Sequence, residues 1–164
     1  MGKWCEVKCA CPNRIKVHDP GVPHWNPRYL CGHSDGAVVQ FWPGYLFEVG
    51  KLLRRMAKEE PDILDTYPRF LKVSNFNLYV DEYLALSKDD AELWRTEIDD
   101  LLDHDNGARS FPYEIARIWQ EFWVEFFADD WHKKDAVSVK EILGDGVKLC
   151  EASRQTGNPI EFGL

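Results

Sequence analysis

Four metal-binding side chains crowd the start of this chain: Cys9, Cys11, Cys31 and His33. They fall in two short pairs, Cys9-Ala-Cys11 and Cys31-Gly-His33. Residues two apart on a strand point to one face, so each pair can present two donors together. Gly32 lets the backbone turn around an ion. Between the pairs runs a stretch punctuated by Pro12, Pro20, Gly21, Pro23 and Pro27. Such a segment has little apolar material with which to build its own core, so a clamp is expected. Three thiolates and an imidazole complete a tetrahedral zinc sphere with no open position, which is the pattern of a structural site rather than a catalytic one. The expected ligands are Cys9, Cys11, Cys31 and His33, and the expected cofactor is structural zinc. The plainer reading is a set of small buried thiols. Cys5 is a spare that either substitutes for Cys9 or Cys11 or packs in a strand. His18 and His24 are weaker alternatives.

Four of the five cysteines lie in the first 31 residues, and the start of the chain shows no apolar core of a secretory signal. A cytoplasmic protein with reduced thiols is expected, which favours metal over disulfides. No apolar run approaches the roughly 20 residues of a membrane helix. Hydrophobic residues at 45% and aromatics at 13% of 164 residues supply a core and argue against disorder.

The charge is −8 and unevenly spread. Residues 1–35 carry five basic and three acidic side chains, whereas 36–164 carry fifteen basic and twenty-five acidic. Segment 81–105 alone holds ten acids against Lys88 and Arg95. Such a field repels nucleic acid and attracts basic partners.

The pattern along the chain is α+β: a zinc-bearing antiparallel β hairpin or ribbon over 1–42, packed on a mainly helical body over 43–164. Residues 3–11 read as a strand and 12–28 as a loop. Tyr29–Cys31 and Ala37–Trp42 read as strands about a turn at Asp35-Gly36, a good hairpin dipeptide. Leu46, Val49, Leu52, Leu53 and Met56 repeat at helical spacing after Pro43. Residues 62–86 show no clean period and suggest short helical turns and extended pieces. Ser87 caps a helix with acids in its first turn, striped by Ala91, Trp94, Ile98, Leu101 and Leu102 and stopped at Asn106-Gly107. Ser110-Phe-Pro112 opens the next, which carries an aromatic stripe from Ile115 to Phe127. Ser138 with Glu141 forms a capping box for a last helix, weakened by Gly144 and Gly146.

Other chemistry-bearing groups have bland readings. Glu121 and Glu125 sit one turn apart, but no E-x-x-H partner accompanies them, so a solvated helix face is expected. Asp99, Asp100, Asp103, His104 and Asp105 lack the spacing of a calcium loop and read as a charged helix end. Asp129-Asp130-Trp131-His132 contains an acid and a histidine of the kind common on surfaces. Cys150 belongs to an apolar helical stripe. Nucleotide-binding and hydrolase motifs are missing.

Three functions remain. The first is an inhibitory or immunity-like protein that binds a basic protein partner through the acidic 81–105 helix. The second is a nucleic-acid-binding zinc module using Lys3, Lys8, Arg14, Lys16 and Arg28. The third is an enzyme with an aromatic cleft holding acids and His104 or His132. Exposed tryptophans among Trp4, Trp25, Trp42 and Trp131 would serve as partner anchors.

Overall fold

The computed structural model describes residues 4–8, 15–17, 28–30, 39–41, 44–74, 83–129 and 138–163. The fold is α+β, as the hydrophobic pattern predicts. The chain divides into two compact units: residues 1–43, 77–92 and 148–164 form one, and 44–76 with 93–147 form the other.

The first unit contains a four-stranded antiparallel sheet of β1 (Trp4–Val7), β4 (Val39–Phe41), β5 (Tyr83–Leu86) and β6 (Ile160–Gly163), in the order β4-β1-β6-β5. Alternation along the strands sorts the side chains. Cys5, Val7, Leu86, Ile160 and Phe162 are all fully buried, and Cys5 faces Phe162 across the β1–β6 pair. Cys5 therefore packs as an apolar side chain in β1, one of its two expected roles. Glu6 faces Glu161 in the same register. Two carboxylates directly opposite repel each other; Lys8 offsets this, its Nζ lying 3.0 Å from Glu161 and 3.7 Å from Glu6.

β2 (Ile15–Val17) and β3 (Arg28–Leu30) form a separate antiparallel ribbon, with Ile15 opposite Leu30. This corrects two expectations. Residues 12–28 are not wholly loop, because Ile15-Lys16-Val17 is extended and paired. Nor does the strand at Tyr29 pair with that at Val39 as a hairpin. β3 pairs with β2, and β4 pairs with β1. The Asp35-Gly36 signal is local, whereas strand pairing is a tertiary outcome that one turn dipeptide does not fix. Residues 34–38 lie outside the described residues.

The second unit is helical. α1 (Gly44–Ala57) buries Leu46, Val49, Leu52, Leu53 and Met56, the face its spacing predicts. Two short helices follow, α2 (Ile63–Thr66) and α3 (Pro68–Ser74). α1 and α3 approach so closely that a Cβ on Gly50 would overlap Ser74.

α4 (Lys88–Asp105) is capped as expected, Ser87 Oγ accepting the Asp90 N–H at 3.1 Å. It ends at Gly107, whose φ of +84° suits glycine. Trp94, Ile98 and Leu101 are fully buried, and Trp94 meets Phe70 edge-on at 5.5 Å between ring centroids. α5 (Tyr113–Ala128) buries Ile115, Ile118, Trp119 and Trp123. Its outer face carries Glu121 and Glu125, both exposed as expected.

α6 (Val139–Thr156) starts on the Ser138 cap, with the Glu141 N–H donating to Ser138 Oγ at 3.2 Å. Its Gly146 has a packing reason: a Cβ there would stand 2.8 Å from Ile98 Cδ1 and 3.5 Å from Leu46 Cδ2. Cys150 is buried, the role its place in the stripe predicts. In the last turn of α6, Ser153 Oγ donates to the Asn158 carbonyl, and Asn158 Nδ2 donates to the Lys8 carbonyl, each at 2.6 Å. These bonds tie the approach to β6 to the end of β1. Among the described residues, no helix is long and apolar enough to cross a membrane.

Candidate functional site

Cys9, Cys11, Cys31 and His33 lie outside the described residues, as do His18, His24, Trp25, Trp42, Trp131 and His132. Among the described residues, no group of three or more His, Cys, Asp or Glu side chains is arranged to hold a metal ion. The described chemistry gathers instead along the inner edge of α4.

Glu97, Asp100 and His104 occur at i, i+3 and i+7, so they line one edge of α4 beside the apolar row of Trp94, Ile98 and Leu101. Helical geometry thus turns part of the acidic run inward. Glu97 is buried and accepts the backbone N–H of Arg69 at 2.9 Å and of Phe70 at 3.0 Å. Those are unsatisfied donors of the first turn of α3, so Glu97 caps α3 from a neighbouring helix. Burial pushes its carboxyl up to about 7, while the two N–H donors and the Arg69 charge pull the other way.

Asp100 is the hub. Its Oδ2 accepts the Tyr67 hydroxyl at 2.5 Å and lies 3.6 Å from His104 Nε2. Its Oδ1 pairs with Arg109 Nη1. Burial first, and then the bond to Asp100, raise the Tyr67 phenol above its ordinary range. The His104 ring stacks flat on Phe111, with centroids 3.6 Å apart and planes 6° from parallel. Its side chain is only 7% exposed. Burial holds the imidazole below the usual histidine range and the Arg109 charge adds to this, against the pull of Asp100.

These groups line an open cleft of about 180 Å³, whose other walls include Glu60, Asp62, Ile63, Phe111 and Ile115. The cleft brings together Asp100 and His104, two members of the expected charged helix end. Asp99, by contrast, is exposed and pairs with Arg95 one turn away at 3.1 Å. Asp105 is exposed and Asp103 half-buried.

Tyr67, Glu97 and Arg109 were not candidates from sequence. Only the i, i+3, i+7 spacing of Glu97 beside a buried stripe carries a signal. Tyr67 and Arg109 reach Asp100 by tertiary folding.

His104 Nε2 faces Asp100, and Nδ1 is buried without a hydrogen bond. Of the basic residues expected to contact nucleic acid, Lys8 is engaged by Glu6 and Glu161. No protein-family model, curated protein or solved structure gives a significant match to this chain.

Proposed function

We propose that this is a partner-binding protein, inhibitory or immunity-like in kind, that engages a basic protein through the C-terminal half of α4 and the cleft beside it. The observation that carries the reading is the division of labour among the acids. Glu97 and Asp100 serve the fold, while Asp99, Asp103 and Asp105 face outward to differing degrees and Glu60 and Asp62 line the cleft. Negative charge gathered at a helix C-terminus, itself a negative pole, steers a cationic surface toward it. Fluorescence anisotropy of a labelled decalysine peptide tests this. Binding should weaken steeply with salt and fall in D99N/D103N/D105N; binding that the triple variant leaves unchanged rules the surface out. Asp100 is left intact, because it holds Tyr67 and Arg109.

We also propose that structural zinc on Cys9, Cys11, Cys31 and His33 braces the N-terminal region. What supports this is the ribbon register. Ile15 pairs with Leu30, so the chain enters β2 and leaves β3 at one end. Cys31 directly follows Leu30, and Cys11 precedes Ile15 by four residues, within about 14 Å of chain. Zinc content near one per chain, lost in Cys31→Ser, is the expected result. A metal-free wild type folded to the same degree overturns it.

A further inference from the structure

We infer that the cleft beside α4 is a subsite for one basic side chain of the partner, an arginine guanidinium or lysine ammonium, and that Arg109 is its resident stand-in. The inference rests on the partner-binding reading above and adds where a single residue is recognised. A guanidinium already sits on the Asp100 carboxylate, so the site accommodates that group. Its owner is loosely held: the Arg109 side chain is 60% exposed, whereas that of Asp100 is 16% exposed. The Arg109 backbone is anchored separately, its N–H donating to the Asp103 carbonyl at 3.1 Å. The side chain can therefore swing into water with the turn in place.

An incoming cation inherits Asp100 and meets Glu60 and Asp62 in the same cleft. Ile115 offers an apolar wall to an aliphatic stem, and Phe111 an aromatic neighbour to a guanidinium plane. Exchange replaces one cation with another, so the carboxylate is never left buried without a partner.

The test is titration of N-acetylarginine methylamide into the full chain, followed by the NMR shifts of Tyr67 and His104. R109Q should bind it about three- to ten-fold more tightly than wild type, the gain from removing a partly exposed competitor. R109Q/E60Q/D62N should lose most of that gain, and the neutral citrulline analogue should not bind. No gain in R109Q, or equal binding of the citrulline analogue, overturns the subsite. If decalysine still depends on Asp99, Asp103 and Asp105 while R109Q shows no gain, the subsite falls and the surface reading stands. If decalysine also fails to bind, both fall. Arg109 is exposed, so its replacement leaves the core intact, and matched thermal unfolding of the variants confirms this.

Discussion

Tyr67 donates a 2.5 Å hydrogen bond to Oδ2 of Asp100 across 33 positions of sequence. The bond joins the α2–α3 junction to the C-terminal half of α4. It also places a phenol and a carboxylate side by side in one cleft. Removing the hydroxyl while keeping the ring isolates its contribution. Y67F should lower stability by about 1.5–3 kcal/mol, the range for a hydrogen bond to a charged group, read from urea unfolding. Because the folded phenol is raised above its unfolded value, its stabilisation is complete below pH about 10 and is lost as pH rises beyond it. The variant should therefore show a shallower alkaline decline; an identical decline refutes the coupling.

Glu97 should make stability depend on pH in the opposite sense to an ordinary salt-bridged acid. Its folded value is raised from 4.5 to about 7. The unfolded chain thus gives up this proton first, and stability falls as pH rises from about 4.5 through 7. The full swing is up to about 3 kcal/mol. In Glu97→Gln that slope should vanish, with the variant gaining on wild type toward neutral pH. Parallel stability curves for the two proteins across this window contradict the assignment.

His104 works against Glu97. Its folded value lies below the unfolded 6.5, so it contributes stability above pH 6.5 that is lost as pH falls through the folded value. NMR titration of the five histidine imidazoles should show His104 protonating at lower pH than exposed ones. Its shift should move in R109Q, since the Arg109 charge helps hold it down. A His104 that titrates at the unperturbed value contradicts the buried stack on Phe111.

The two glycines of α6 should separate cleanly. Gly144 has open space where a Cβ would stand, so G144A should stabilise by about 0.5–1 kcal/mol through helix propensity alone. Gly146 stands against Ile98 in the core, so G146A must displace a fully buried side chain. Overpacking costs about 1–3 kcal/mol, which cancels or exceeds the propensity gain. Gly50 against Ser74 should behave like Gly146 and destabilise on substitution by alanine. Urea midpoints of the three variants decide it.

What the sequence determined by itself was local. The helical period placed the buried faces of α1, α4 and α5. Ser87 and Ser138 marked where helices begin, and Gly107 and Gly157 sit just beyond where two of them end. These are signals in which each residue meets neighbours three or four positions away, and the spacing alone states the geometry. Tertiary structure decided the rest. Strand pairing is a long-range outcome, so the Asp35-Gly36 hairpin signal did not pair β3 with β4. β6, four residues long after Pro159, acquires its meaning only between β1 and β5. The acidic run looked like one solvated surface because charge is counted without direction. Folding turned Glu97 and Asp100 inward, where α3 and Tyr67 supply their partners, and left Asp99 and Asp105 to the solvent. A carboxylate's role is set by the donors that reach it: those from α3 and Tyr67 lie 27 to 33 positions away, and Arg109 lies nine positions from Asp100.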